Sequence, residues 1–222
     1  MSKFVKRFVS CLLAVMMMLS LFPLSAFASN DGNGASDDTS SPVSSEQSTT
    51  AVAKIGDKEY GTLQEAVNDA PADGTETTIE LLSDTEVAAQ ITIKEGQNII
   101  INANNKTLTL PSTNFQGRFF ENKGTLTLTG NGIFNATNAG TKGYDTVNNF
   151  GTLTVINGTY TNLKDSDTFN FYNRNGGTAT FVNPTINGGG GCSATEVNTT
   201  TTIQGAITLM KHIQPSKTAA TC

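Results

Sequence analysis

The sequence predicts an all-β chain built as a β-solenoid, and three observations carry that prediction. The first is composition. The chain has 34 Thr, 22 Asn and 21 Gly, no Trp, and only 15% charged residues. Thr is β-branched and suits strands, whereas Asn and Gly suit tight turns. The second is an internal repeat. Gly124-Thr-Leu-Thr-Leu-Thr-Gly130 recurs as Gly151-Thr-Leu-Thr-Val-Ile-Asn157 and as Gly177-Thr-Ala-Thr-Phe-Val-Asn183, at intervals of 27 and 26 residues. The third is strict alternation within each copy. It sets Leu126, Leu128, Leu153, Val155, Ala179 and Phe181 on one face, with Thr125, Thr127, Thr152, Thr154, Thr178 and Thr180 on the other.

A unit of about 26 residues cannot bury its apolar face alone, so successive units must stack as parallel strands about 4.8 Å apart. Downstream of each repeat, Gly132-Ile-Phe134, Gly158-Thr-Tyr160 and Pro184-Thr-Ile186 keep intervals of 26 residues. The extra residue of the first copy therefore falls between Leu128 and Gly132, as a bulge or loop insertion. Asn122, Asn149 and Asn175 each precede a repeat glycine by two residues and are expected to stack at the turns. Thr200-Thr-Thr-Ile203-Gln-Gly205 reads as a degraded fourth copy.

The elements follow in chain order. Lys3, Lys6 and Arg7 precede an apolar stretch over 8–24, and Ala26-Phe27-Ala28 gives a small-x-small cleavage pattern. Residues 1–28 are thus expected to be a secretory signal peptide. Pro23 and the shortness of the apolar run argue against a membrane span. Residues 29–50 are rich in Ser, Thr, Asp and Gly, which suits a flexible linker. Gly56-Asp57 should turn a hairpin, its glycine placed first as a type II′ turn requires. A single short helix is expected over 62–70. Thr62 and Glu65 form a capping box, Leu63, Ala66, Val67 and Ala70 share a face, and Pro71 stops it. That helix would plug the N-terminal end of the solenoid and protect its pairing edge. Strands are expected at 78–82, 90–94, 98–102 and 106–110. Rungs would run over 85–205, with 206–222 an irregular tail.

The segments Lys54-Ile-Gly-Asp-Lys-Glu-Tyr60, Thr62-Leu-Gln-Glu-Ala-Val67 and Thr78-Ile-Glu-Leu-Leu-Ser-Asp84 lead into the Gly-Thr-Leu-Thr rungs. Together they resemble right-handed parallel β-helix domains of the pectin-lyase-like superfold, in the version found in secreted or cell-wall-associated bacterial surface proteins. The resemblance spans about 51–190 and implies a right-handed coil. It also implies an export-bound protein working at a surface. Such proteins usually carry an attachment module; residues 206–222 show no sorting motif, so a shortened member is the expectation.

Composition excludes some functions. With 14 Lys+Arg against 19 Asp+Glu, the chain is not a nucleic-acid binder working by counterion release. Loss of residues 1–28 removes three basic groups and no acidic one, deepening a net charge of −5. Cys11 would leave with the signal segment, and Cys192 and Cys222 could pair but make no framework. His212 is the one histidine, so zinc is not expected, and no cofactor is implied.

Enzymes of this superfold need a base for proton abstraction and clustered carboxylates, with or without Ca²⁺, or else a close Asp/Glu pair for hydrolysis. None of their motifs matches here residue by residue. The local candidates are Asp165 and Asp167, with Asp145 about one rung earlier; the arginines are Arg118 and Arg174. Asp and Ser also simply favour turns. Tyr144, Phe150, Tyr160, Phe169, Phe171 and Tyr172 would stack on sugars only if exposed, and alternation puts about half of such a set in a core. The paired threonines, with Thr107/Thr109 added to the three repeats, form an outward ladder. It resembles the flat face of ice-binding solenoids, although Thr suits any outward strand position. The Asn-x-Thr triplets at Asn105, Asn135, Asn157 and Asn198 follow from composition.

The expected function is therefore a non-enzymatic, exported spacer or adhesin-like module that meets polysaccharide or protein surfaces. The alternative is a carbohydrate-active lyase or hydrolase fragment, and ice binding comes third.

Overall fold

The computed structural model describes residues 50–111, 118–137, 145–163, 170–188, 193–196 and 198–211. The signal and linker segments up to residue 49, along with His212, Cys192 and Cys222, lie outside the described residues.

Order begins with a hairpin, β1 (Ala53–Ile55) and β2 (Lys58–Tyr60), paired antiparallel. Gly56 sits at φ +57 in the turn, the left-handed conformation that the sequence required of it. Helix α1 (Leu63–Asp69) follows. Its capping box is formed on both sides: the Glu65 amide donates to Thr62 Oγ1 at 3.2 Å, and the Thr62 amide donates to Glu65 Oε2 at 3.1 Å. Ala70 leaves the helix at ψ 131, the extended geometry that a following proline imposes. Leu63, Ala66 and Val67 are buried beneath it.

Rungs of about 26 residues then stack. The first comprises β3 (Glu76–Leu81), β4 (Thr85–Glu86) and β5 (Ile91–Ile93), and the second β6 (Asn98–Asn102), β7 (Thr107–Thr109) and β8 (Phe120–Asn122). Next come β9 (Thr125–Thr129), β10 (Ile133–Asn135) and β11 (Val147–Asn149). They are followed by β12 (Thr152–Ile156), β13 (Thr159–Asn162) and β14 (Phe171–Asn173). The series ends in β15 (Thr178–Val182), β16 (Thr185–Gly188) and β17 (Ser193–Thr195), then β18 (Thr200–Gln204) and β19 (Thr208–Lys211). Each of the first five rungs gives one strand to each of three sheets, and β18 and β19 extend the first two. The first sheet runs β3-β6-β9-β12-β15-β18 and carries the hairpin beyond β3. The second runs from β4 to β19 and the third from β5 to β17. All pairing between rungs is parallel, and the repeats align as the sequence expects: Leu126↔Leu153↔Ala179 and Leu128↔Val155↔Phe181.

Those inward positions form the core. Ile99, Leu126, Leu153 and Ala179 are at most 2% exposed, as are Ile101, Leu128, Val155 and Phe181 beside them. The second sheet adds Leu108, Phe134, Tyr160 and Ile186, and the third adds Ile91, Phe120, Val147 and Phe171. Aromatic rings run along the axis: Phe134 stacks on Tyr160 at 4.8 Å, and Tyr160 meets Phe171 edge-on at 4.9 Å. Each such side chain contributes about 1.5–3 kcal/mol through burial. The Tyr160 hydroxyl is buried with no hydrogen-bond partner among the described residues, and that burial raises its pKa.

The repeat glycines are there for space. A Cβ on Gly151 would collide with the Gly124 carbonyl oxygen, and one on Gly124 with the carbonyls of Lys94 and Gln97. Corners between the first and second sheets instead use left-handed Asn: Asn105, Asn157 and Asn183 lie at φ 59, 59 and 54. Asn tolerates that region better than other residues with a Cβ, which suits it to these corners. The extra residue of the first repeat sits at this corner. Gly130, Asn131 and Gly132 join β9 to β10, where Asn157 and Gly158 suffice one rung later.

Four expectations change. The buried asparagine ladder is Asn122, Asn149 and Asn173, not Asn175. Asn122 Nδ2 donates to Asn149 Oδ1 at 2.7 Å, and Asn149 Nδ2 donates to Asn173 Oδ1 at 2.8 Å. The turn after Asn173 is two residues longer than its predecessors and leaves Asn175 exposed. Thr107 and Thr109 lie on the second sheet, so they do not extend the ladder of the first, where Asn98 and Ile100 hold those places. A short strand appears at β4, unforeseen between 82 and 90. Finally, β19 pairs with β16 within what reads as an irregular tail.

Gln97 fastens the cap to the second rung. Its amide nitrogen donates to the Val67 and Ala70 carbonyls at 2.8 and 2.9 Å, and its oxygen accepts from the Lys94 amide. Helix C-termini leave such carbonyls without intrahelical partners. At the opposite end β18 is exposed throughout, and Ile203, aligned with inward Phe181, is 47% exposed.

Replacing Asn149 by Ala should cost about 2–3 kcal/mol in urea unfolding, because buried amide partners lose their bonds. Asn175→Ala should change stability by less than about 0.5 kcal/mol. Equal effects would contradict the placement of the ladder.

Candidate functional site

Two outward surfaces carry organised side chains. On the first sheet, Thr125, Thr152, Thr178 and Thr200 align rung to rung, and Thr127, Thr154, Thr180 and Thr202 form a second column beside them. All are partly or fully exposed. The Thr178 hydroxyl lies 3.3 Å from that of Thr152. Each hydroxyl offers one donor and two acceptor lone pairs, so the face is a regular, uncharged hydrogen-bonding array. It ends at β6 and β3, where Asn98 and then Glu76 continue the first column.

Of the acidic candidates, only Asp145 lies among the described residues. Asp145 stands just before β11 and pairs with Arg118 Nε at 3.4 Å. Arg174 stands just after β14, the parallel neighbour of β11. The two therefore mark opposite ends of the third sheet's strands. Asp165 and Asp167 lie outside the described residues. Among the described residues no group of three or more His, Cys, Asp or Glu is arranged to hold a metal.

The second surface is the corner where the third sheet turns towards the first. Main-chain bonds stack one residue per rung there. The amides of Lys123, Phe150, Arg174 and Glu196 donate to the carbonyls of Ile93, Asn122, Asn149 and Asn173 at 2.9, 2.8, 2.7 and 2.9 Å. The Arg174 guanidinium is held on three sides. It donates to Glu196 Oε1 at 2.7 Å and to Asn148 Oδ1 at 2.6 Å, and lies 3.7 Å from the Tyr172 ring centre. A planar guanidinium suits both a carboxylate and an aromatic face. One rung below Phe150, Lys123 pairs with Glu121 at 2.8 Å. Hydrogen bonds from Arg174, then from the Asn175 amide, hold the Glu196 carboxyl below its ordinary pKa.

Alternation sorts four of the six aromatics. Tyr160 and Phe171 are core, whereas Phe150 is 43% exposed and Tyr172 is partly exposed. Tyr144 and Phe169 lie outside the described residues. The sequence reading missed the Arg174–Glu196 pair. Its signal was available, since each residue directly follows a third-sheet strand, but reading it requires the register set by Asn173.

A smaller apolar cleft of about 150 Å³ opens between the start of α1 and residues 85–89, lined by Leu63, Val87 and Ala88 among others.

The chain matches no family model, no curated protein and no solved structure.

A carboxylate whose folded pKa is depressed contributes stability above its unfolded value, and that contribution is lost as pH falls through the folded value. For Glu196 the loss begins near the ordinary value of 4.5 and continues below it. The fall in urea midpoint between pH 6 and pH 3 should therefore be smaller in Glu196→Gln than in the parent. An identical fall in both would contradict the pairing.

Proposed function

We propose that this chain is an exported, non-enzymatic module of the right-handed β-helix kind found in bacterial surface proteins. Residues 1–28 would direct export, and residues 29–50 would let the rungs stand off from whatever precedes them. Its work is to hold a rigid, repetitive face against a polysaccharide or protein surface. The observation that carries this reading is the double column of threonines, in register over four rungs and free of charge. One hydroxyl contributes little, but a row fixed at rung spacing can engage a repetitive partner many times over. Avidity then exceeds any single contact by orders of magnitude.

The placement of Asp145 and Arg174 at opposite ends of the third sheet supports a binding role over a lyase or hydrolase. These two residues therefore do not form an acid–base pair with each other. The net negative charge supports partners that are neutral or basic, because an acidic chain repels anionic polymers.

The purified chain should be retained on insoluble polysaccharide or on bacterial cell wall. A Thr127→Lys/Thr154→Lys variant should wash off at least about tenfold more readily, since two rungs of the array are interrupted. Failure to bind across polysaccharides, cell walls and extracellular host proteins would reduce the role to that of a spacer.

A further inference from the structure

We infer that the corner around Phe150 is a discrete subsite for a neutral sugar, separate from the threonine columns. The inference deepens the proposed binding role by naming a place and a ligand class.

Phe150 is the one aromatic side chain among the exposed large hydrophobics of the described residues. A lone exposed apolar residue is ordinary on a protein surface. Its neighbourhood sets this one apart. The stacked main chain fixes Phe150 between Lys123 and Arg174, about 4.8 Å from each along the rung direction. Both cations are already held: Lys123 by Glu121, and Arg174 by Glu196, Asn148 and the Tyr172 ring. Glu121 is steadied in turn by the Gln90 amide at 3.3 Å. Phe150 thus stands in the main-chain row between two residues whose charged groups already have partners of their own.

That combination matches the two-sided chemistry of a pyranose. One face of the sugar presents C–H groups, which pack on an aromatic ring, while its rim presents hydroxyls that both donate and accept. The paired charged groups of the flanking residues offer both donors and acceptors to such a rim. Because the groups sit on a strand ladder, little conformational freedom is lost on binding.

Charge selects among sugars. The two cations are matched by two carboxylates, so the corner offers no uncompensated positive charge to a uronate polymer. The net charge of −5 also opposes such a polymer. A neutral hexose or pentose chain meets neither obstacle. A peptide would use the ring but would leave most of the fixed polar rim unmatched.

The test is native affinity electrophoresis of the whole chain in gels containing xylan, galactomannan, mixed-linkage β-glucan or polygalacturonate. At least one neutral polysaccharide should retard the protein, and polygalacturonate should not. Phe150→Ala should weaken that retardation roughly tenfold while Phe150→Tyr preserves it, as expected for a stacking contact. Thermal unfolding of each variant should match the parent, because the ring is exposed. Absence of retardation by every neutral polysaccharide would overturn the inference, as would retardation by polygalacturonate alone. Retardation that survives Phe150→Ala would also overturn it. If that retardation then disappears in Thr127→Lys/Thr154→Lys, the subsite falls while the broader binding role stands.

Discussion

A strand of three to five residues has too little inward surface to stay dry alone, and its amides and carbonyls need a neighbour on each side. Both needs are met here by the same act, the stacking of one rung on the next in fixed register. Leu153 lies between Leu126 and Ala179, and Val155 between Leu128 and Phe181. A slip of one residue would turn the threonines inward and the leucines out. The repeat glycines belong to the same constraint, since a side chain at Gly151 would push successive rungs apart. Apolar pattern, glycine placement and rung length therefore specify a single register.

Stacking solves the interior and leaves the ends and corners to other devices. At the N-terminal end, α1 and the hairpin cover the first rungs, and Gln97 ties the helix carbonyls down. At the corner between the third and first sheets, the asparagine ladder bonds to its own kind and to the carbonyls of Thr152, Thr178 and Thr200. A half-satisfied polar ladder would be worse than an apolar one; this one reinforces the register that leucine packing selects. The outward surfaces inherit that order. The threonine columns and the Lys123–Phe150–Arg174 row are regular because the backbone beneath them is.

The repeat, the faces of its strands and the capped helix were all legible from residue spacing, because each is a local pattern. What was not legible depends on contacts between distant residues. A fixed offset from the repeat glycine selects Asn175, yet the corner there takes in Arg174, Asn175 and Gly176, with Gly176 at φ +84. Alternation tells which side of a strand Thr107 occupies, but not which of three sheets holds the strand. Gln97 reaches carbonyls 27 and 30 residues away, and no spacing announces that. Among candidate site residues, alternation divided the aromatics correctly in principle, but only the register brought Arg174 against Glu196 and Asn148.

The central claim is that successive repeats lie side by side with their apolar residues facing one interior. Methyl–methyl nuclear Overhauser contacts in solution test it most directly. The account predicts contacts from Leu126 to Leu153 and from Leu153 to Ala179, with Thr127 methyls seeing Thr154 instead. Contacts pairing Leu153 with Thr127, or none between the repeats, would contradict it.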